Sequence, residues 1–279
     1  MRITPSKESA DTAEPAPSPA EGSTRRLRVA MGTWVAIEAT AANPPRELAP
    51  VADSTQLAAI EAAYESIRLV EQAMHPHRHG SDLARINAAP LHMPIEIQPD
   101  TWRVLHLARR LYELTDGVFD PCLPSQPGSL QDVELGSVPM LVRHTPVEID
   151  LGGIAKGYAV DRAVETLMAH GCCAGLVNAG GDLRVFGERE EAVLLREPDT
   201  SFRRLALRNA ALAVSDIDAI DRPAEHQGYY SRKGKTAARR YAAVIAKDAA
   251  TADALTKCVL LCEPHHAARA LRELEATLA

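Results

Sequence analysis

Apolar residues recur at helical spacing in two long segments of the N-terminal half of the chain. Within residues 55–73 the repeated apolar positions are Leu57, Ile60, Tyr64, Ile67 and Val70. Residues 99–114 show the same period, begin near Asp100 and stop at Asp116-Gly117. Apolar residues three or four positions apart fall on one helix face, so both segments are predicted to be amphipathic helices. Residues 28–39 alternate loosely and carry Val and Ile, which indicates a strand.

The second half of the chain alternates between shorter apolar segments and turns. Strands are predicted at residues 147–151, 174–178, 183–186, 192–196, 204–208, 211–215 and 241–246. Helices are predicted at residues 155–170, where Gly171 closes the helix, and at residues 250–262 and 264–278. Residues 123–143 are predicted to be irregular, and residues 216–235 are polar and unpatterned. This mixture of elements predicts an α/β (mixed α+β) fold.

Composition adds a domain boundary and excludes several classes of protein. Residues 1–26 are rich in Ala, Pro and Ser, so we expect a disordered tail before a single domain over residues 27–279. The net charge of −6 argues against a nucleic-acid surface. No apolar run is long enough for a signal peptide or a membrane span, and the odd count of five cysteines is a poor disulfide framework. We therefore expect a cytoplasmic protein.

Two groups of possible metal ligands have simpler interpretations. Cys258 and Cys262, followed by His265 and His266, have a spacing that could hold zinc, but the cysteines stand in an apolar stretch, which favours a buried core. The histidine-rich run at residues 75–79 is more typical of a polar loop than of a ligand set.

The segment at residues 148–161 has the strongest chemical signature. A predicted strand ends at Asp150, Gly152 and Gly153 turn the chain, and Lys156 falls in the first turn of the next helix. Glycines let a ligand approach the backbone, and the N–H groups at a helix start favour anions such as phosphate. The frame of a P-loop is absent. The alternative is a plain strand–turn–helix unit with a solvated Lys156.

Two further segments carry polar residues at turns and helix starts. Residues 178–182, Asn-Ala-Gly-Gly-Asp, directly follow a predicted strand and form a tight polar turn. In residues 252–257, Asp253, Thr256 and Lys257 share one face of a predicted helix. A carboxylate and a hydroxyl on one face can hold Mg²⁺, although an acid at a helix start also simply complements the helix dipole.

Taken together, these segments resemble the ApbE-like FAD:protein FMN transferases at five places in the family's order. The five places are residues 31–33, 74–87, 115–121, 149–182 and 252–256. The resemblance covers residues 28 to about 262 and implies a largely antiparallel sheet with packed helices. The activity it implies is Mg²⁺-dependent transfer of FMN from FAD to a threonine or serine of an acceptor protein, with release of AMP. A non-catalytic FAD carrier and an FAD pyrophosphatase are the alternatives.

The resemblance also assigns roles to individual residues. It implies that the FAD site is lined by Met31, His77, Gly117, Val118, Phe119, Asp150 and Lys156. It implies that Mg²⁺ is held by the Gly153 carbonyl, Asp253 and a nearby hydroxyl, for which Thr256 is the candidate. Asp253 and Lys156 are the expected catalytic residues.

The chain departs from the family's pattern at four positions. His77 stands where a tyrosine is usual, and Val214-Ser215-Asp216 replaces a Thr-Ser-Gly motif. The family's His-Ile-x-Asp-Pro segment is absent from residues 227–236. Lys257 stands where the family has a threonine. Two arrangements are open: Thr256 faces the site and completes the metal's ligands, or the Lys257 ammonium replaces the metal's charge.

Overall fold

The computed structural model describes residues 22–41, 54–188, 190–199, 201–218 and 239–279. The helices in these ranges are α1 (Ser54–Met74), α2 (Asp82–Ala88), α3 (Pro99–Leu114), α4 (Ala155–Ala169), α5 (Ala249–Leu261) and α6 (Pro264–Glu273). The strands are β1 (Ser23–Ala30), β2 (Thr33–Ala41), β3 (Ile95–Glu96), β4 (Val133–Leu135), β5 (Met140–Arg143), β6 (Cys172–Ala179), β7 (Asp182–Phe186), β8 (Glu191–Arg196), β9 (Phe202–Leu207), β10 (Ala211–Asp216), β11 (Tyr241–Ala246) and β12 (Thr277–Leu278).

The main sheet has seven strands in the order β1-β2-β6-β7-β10-β11-β12. Every neighbouring pair in it is antiparallel. Helices α1, α4 and α5 pack on this sheet and on one another, and their apolar faces build the larger core. The expected α/β (mixed α+β) fold with a largely antiparallel sheet is therefore confirmed.

The N-terminal strand expected at residues 28–39 is wrong, because the segment is a hairpin. Met31 and Gly32 have φ values of 51° and 70°, and this left-handed pair turns the chain between β1 and β2. Residues 23–26, which composition placed in the tail, belong to β1. Methionine rarely adopts positive φ, so the sequence carried no strong turn signal here. The rest of the expected tail lies outside the described residues, apart from Gly22.

Two further expectations were wrong in the middle of the chain. Residues 123–143 contain β4 and β5, which form a small sheet with β3 in the order β3-β5-β4. Residues 147–151 contribute only an isolated bridge between Ile149 and Cys122. Strands of two to four residues are too short to show a clear alternation of apolar and polar positions.

The remaining helices agree closely with the apolar period. Helices α1 and α3 span the predicted segments, and Gly171, with φ of 81°, closes α4 as expected. The last helix ends at Glu273 rather than at residue 278, because Glu275 adopts φ of 52° and turns the chain into β12. In the parts of the chain that the structure describes, no helix combines the length and apolarity that a membrane crossing requires.

Candidate functional site

Lys156 and Asp182 bring two of the predicted segments together. Lys156 lies in the first turn of α4, directly after the Gly152-Gly153 turn, and its Nζ is 2.6 Å from Oδ2 of Asp182. Asp182 begins β7 after the Gly180-Gly181 turn, and its side chain is 1% exposed, whereas that of Lys156 is 34% exposed. The ammonium is thus anchored by a buried carboxylate at a partly open site, which is a suitable arrangement for binding a phosphate.

A second buried ion pair lies on α5. The Lys257 ammonium contacts Oδ1 of Asp253, one helical turn away, and Oδ2 of Asp253 accepts the Gly157 N–H at 3.1 Å. A Cβ on Gly153 would lie 3.6–3.9 Å from three carbons of the Lys257 side chain. Lys257 therefore contacts Asp253 and lies beside the Gly153 turn.

The two ion pairs act on each other electrostatically. Burial raises the pKa of the Asp182 carboxyl, and the negative charge of Asp253 acts in the same direction. The ammonium groups of Lys156 and Lys257 oppose this rise. We refer to Lys156, Asp182, Asp253 and Lys257 as the four-charge cluster, in which two carboxylates are balanced by two ammonium groups.

Helices α4 and α5 are joined by carboxylates that cap each other's first turns. Asp253 on α5 accepts the Gly157 N–H of α4, and Asp161 on α4 accepts the Ala249 and Ala250 N–H groups of α5 at 2.9 and 2.8 Å. First-turn amides have no partner within their own helix, and the positive end of the helix dipole favours a carboxylate there. This reciprocal capping fixes where Asp253 stands relative to the Lys156 turn.

The β1–β2 turn that contains Met31 lies next to the Gly180-Gly181 turn. The β2–β6 register pairs Val35 with Ala179, and the Gly180 N–H donates to the Trp34 carbonyl at 3.2 Å. Gly180 has φ of 62°, and a Cβ there would lie 2.5 Å from Oγ1 of Thr33. The β1–β2 turn and the Gly180-Gly181 turn are consequently adjacent.

Asp150 shapes the glycine turn rather than pairing with a cation in the described residues. Its Oδ1 accepts the Gly152 N–H at 2.7 Å, and its own N–H donates to the Pro121 carbonyl. Pro121 closely follows the segment Gly117-Val118-Phe119, in which Phe119 is buried and its N–H donates to Oγ1 of Thr115. A short main-chain path therefore connects two of the predicted FAD-binding segments.

A cavity of about 450 Å³ lies beside Gly117 and is also lined by Tyr112, Asp116 and Asp120. None of the four-charge cluster lines it. Because the buried ion pairs lie at the glycine turns, we place the candidate site there and not in this cavity. His77 is exposed, and its main-chain N–H donates to Nδ1 of His75. In the described structure no contact joins His77 to the four-charge cluster.

The three expected metal ligands do not assemble. The Lys257 side chain lies beside the Gly153 turn, and its ammonium contacts Asp253, so a lysine stands next to both of these expected ligands. The Thr256 hydroxyl is buried, donates to the Asp253 carbonyl at 2.7 Å and lies 2.7 Å from Oγ of Ser215. Thr256 thus contacts β10. This arrangement does not fit a divalent cation held by Gly153, Asp253 and Thr256.

The zinc interpretation of the C-terminal cysteines also fails. Among the residues that the structure describes, no group of three or more His, Cys, Asp and Glu side chains could hold a metal ion. A hydrogen bond with Cys262 and burial raise the pKa of the Cys258 thiol, which disfavours the thiolate a metal would need. His266 instead pairs with Asp116 at 2.8 Å.

Three residues of the site were missed as site residues by sequence reasoning. They are Asp182, Asp161 and Arg184, whose Nη1 is 2.8 Å from Oδ1 of Asp161. Asp182 had a signal, because it follows two glycines directly after a strand. Asp161 and Arg184 had none, since a single acid within a helix and a single arginine on a strand are usually solvated.

The antiparallel sheet, and the glycine turn that leads into the helix with Lys156, are features of the flavin-transferase fold. The structure is similar to the apo form of the flavinyl transferase ApbE of Pseudomonas stutzeri, with a TM-score of 0.74, 17% identity and coverage of 92% of this chain and 90% of the other. It is also similar to the flavin transferase ApbE of Vibrio cholerae, with a TM-score of 0.73, 19% identity and 92% coverage of both chains.

The chain belongs to the ApbE family, whose family model matches residues 31–126 and 126–279. Relatives in sequence include the FAD:protein FMN transferases of Treponema pallidum and Haemophilus influenzae, each 24% identical over 220 and 227 residues respectively. These alignments cover 63% and 66% of this chain and 60% and 63% of the relatives. The chain therefore matches less than two thirds of the length of these relatives.

Proposed function

We propose that this protein transfers FMN from FAD to a threonine or serine hydroxyl of an acceptor protein and releases AMP. The observation that carries the proposal is the Lys156 ammonium, anchored by buried Asp182 and still 34% exposed at a glycine-rich helix start. Membership of the ApbE family and relatives named FAD:protein FMN transferase support the same activity.

The proposed reaction is a phosphoryl transfer at the FAD pyrophosphate. The acceptor hydroxyl oxygen forms a bond to the phosphorus of the FMN half, and the bond from that phosphorus to the bridging oxygen breaks. AMP leaves with the electron pair, and the hydroxyl proton passes to water. The Lys156 ammonium stabilises the negative charge on the phosphate oxygens, because Asp182 already orients it before the reaction.

The other predicted residues are proposed to position the flavin. Met31 lies in the hairpin turn beside Gly180, while Gly117, Val118 and Phe119 form the turn that Thr115 fixes. Asp150 fixes the conformation of the Gly152-Gly153 turn by accepting the Gly152 N–H. His77 stays a prediction as a ring-stacking residue. Asp253 acts as a positioning residue, since both of its oxygens contact groups of this chain.

The activity is tested by following the fate of FAD with the full-length protein and a mixture of threonine- and serine-containing peptides. Transfer is expected to give AMP and a peptide that stays fluorescent after denaturation. FMN and AMP without labelled peptide would instead show hydrolysis, and unchanged bound FAD would show a carrier. Either result contradicts the proposal.

Lys156→Met tests the residue that carries the proposal. A charge-assisted hydrogen bond contributes roughly 1.5–3 kcal/mol, so FAD affinity should fall about 10- to 150-fold by calorimetry. Lys247→Met is the matched control, because Lys247 is exposed and lies outside the cluster. The parent should also bind FAD more tightly than FMN, which lacks the pyrophosphate; equal losses in both variants would contradict the role of Lys156.

A further inference from the structure

We infer that the Lys257 ammonium is the resident cation of this site, so that FAD binds without a divalent metal between Gly153 and Asp253. The inference rests on the proposed use of FAD. It concerns a position where the family resemblance implies Mg²⁺ and where the side chains of this protein are arranged differently.

Both carboxylate oxygens of Asp253 already have partners from this chain. Oδ1 contacts the Lys257 ammonium, and Oδ2 accepts the Gly157 N–H at 3.1 Å. The Lys257 stem passes 3.6–3.9 Å from the Cβ position of Gly153. A metal bound to both Gly153 and Asp253 would have to displace the lysine from the space that its stem and ammonium fill.

Burial makes that displacement costly. The side chains of Lys257 and Asp253 are 7% and 0% exposed. Breaking a buried ion pair strands two charges in a medium of low dielectric constant, and an ammonium retained beside a divalent cation would be repelled by it. The lysine and the metal therefore exclude each other at this position.

Two other oxygen groups of the site already have partners in this chain. The second carboxylate of the cluster, Asp182, is held by Lys156 at 2.6 Å. The Thr256 hydroxyl is committed to Ser215 and to the Asp253 carbonyl. Of the two arrangements that the sequence left open, the structure therefore has the one in which Lys257, and not Thr256, faces Asp253 and the Gly153 turn.

The first arm of the test uses Mn²⁺ alone as the probe, measured by electron paramagnetic resonance on the full-length protein without FAD. The parent and the matched control Lys247→Thr should bind no stoichiometric Mn²⁺ up to about 1 mM. Lys257→Thr should gain one site, because the variant frees Asp253 and places a hydroxyl one helical turn away. A stoichiometric site in the parent, or none gained in Lys257→Thr, would overturn the inference.

The second arm measures thermal stability. Lys257→Thr leaves the Asp253 charge buried without its ammonium, so its Tm should fall and recover by about 5 °C or more when Mn²⁺ is added. The Tm of the parent and of Lys247→Thr should not respond to Mn²⁺. If Lys257→Thr does not fold, Lys257→Ser, which also frees Asp253 and supplies a hydroxyl, takes its place in both arms.

The third arm separates this inference from the proposed function. FAD affinity of the parent should be the same within about twofold in Mg²⁺ and in EDTA, while that of Lys257→Thr should become dependent on Mg²⁺. A parent that needs Mg²⁺ for binding contradicts the inference. A parent that binds no FAD under either condition contradicts the proposed function, and the Mn²⁺ measurements still decide the role of Lys257.

Discussion

Asp161 is a buried carboxylate that three groups of the folded chain hold in place. It accepts the first two N–H groups of α5 and pairs with Arg184 on β7. Burial raises the pKa of Asp161 to about 6, more than Arg184 and the two N–H groups lower it. Asp161 therefore positions α5, and with it Asp253 and Lys257. Its raised pKa means that folding disfavours the ionised carboxylate relative to the protonated carboxyl.

The titration of Asp161 gives a prediction with a definite sign. A carboxyl whose pKa is raised on folding contributes stability below its unfolded pKa, and that contribution is lost as pH rises through about 6. The free energy of unfolding of the parent, minus that of Asp161→Asn, should therefore fall between pH 4 and about pH 6.5. The expected fall is on the order of 3 kcal/mol, measured by urea denaturation.

Asp248→Asn is the control for this measurement. Asp248 caps the same helix end by accepting the Thr251 N–H at 2.8 Å, and asparagine caps a helix about as well as aspartate. The variant should keep most of the fall attributed to Asp161, reduced because the negative charge of Asp248 also raises the pKa of Asp161. A parent-minus-Asp161→Asn difference that stays flat or rises over this range would contradict the assignment.

Sequence reasoning located the candidate site better than it assigned the side chains. The segments that the family resemblance implied do meet, because Asp253 accepts the Gly157 N–H of the helix that carries Lys156, and the Lys257 side chain lies beside Gly153. Thr256 and Lys257 share a helix in sequence, and which of them approaches Gly153 depends on the packing of α5 against β10. That packing is a long-range property that local spacing does not determine.

At the scale of elements, α4 and α5 approach closely at a single glycine. A Cβ on Gly157 would lie 2.2 Å from the Ala249 carbonyl oxygen and 2.8 Å from Cβ of Asp253. The absence of a side chain therefore allows the two helices to come near enough for Asp253 and Asp161 to cap their partners. Helix packing and the charge geometry of the site depend on the same contact.

Gly157→Ala should destabilise the protein although alanine favours a helix by about 1 kcal/mol. The clash is with backbone, which cannot move without separating the helices, so we expect a net loss of roughly 1–3 kcal/mol by denaturant unfolding. FAD affinity should fall as well. Gly152→Ala is the control, because its Cβ would meet only the Asp150 side chain, and it should cost less stability. A Gly157→Ala protein as stable as the parent would contradict the close approach.

Elements with a long apolar period were predicted well, and elements set by backbone conformation were not. Helices α1 and α3 each bury one face of a regular pattern, so the sequence contains their signal. The β1–β2 turn depends on a methionine at φ of 51°, and β12 depends on Glu275 at φ of 52°. Residues other than glycine rarely adopt such conformations, so the sequence carries no local signal for them.

At the scale of the whole molecule, the apolar residues that the structure describes form two separate cores. The larger core joins the helices to one face of the main sheet, and the smaller one lies where Leu195 of β8 and Leu207 of β9 pack on Leu183, Val185 and Leu212. In the described residues β8 and β9 pair only with each other. Disorder of the tail, a single domain over residues 27–279 and a cytoplasmic location stay predictions.

The β8–β9 pair should open more readily than the rest of the sheet. An isolated two-stranded hairpin is marginally stable, and most of its side chains here are exposed or half-buried. Amide hydrogen exchange should therefore be faster in β8 and β9 than in β2 and β6, which lie within the seven-stranded sheet. Equal protection in the two pairs would mean that the small core is as stable as the large one.

The position of Trp34 makes the protein optically useful. The chain has two tryptophans. Trp34 is 62% exposed, and its main-chain carbonyl accepts the Gly180 N–H. Trp102 lies on α3, and its indole N–H donates to the Gly136 carbonyl. Flavins absorb where indole emits, so occupancy of the proposed site should quench the intrinsic emission. Trp34→Phe should remove the larger part of that quenching and Trp102→Phe the smaller part. The reverse result would place the flavin nearer to α3, and the expected result would allow ligand titrations with unlabelled protein.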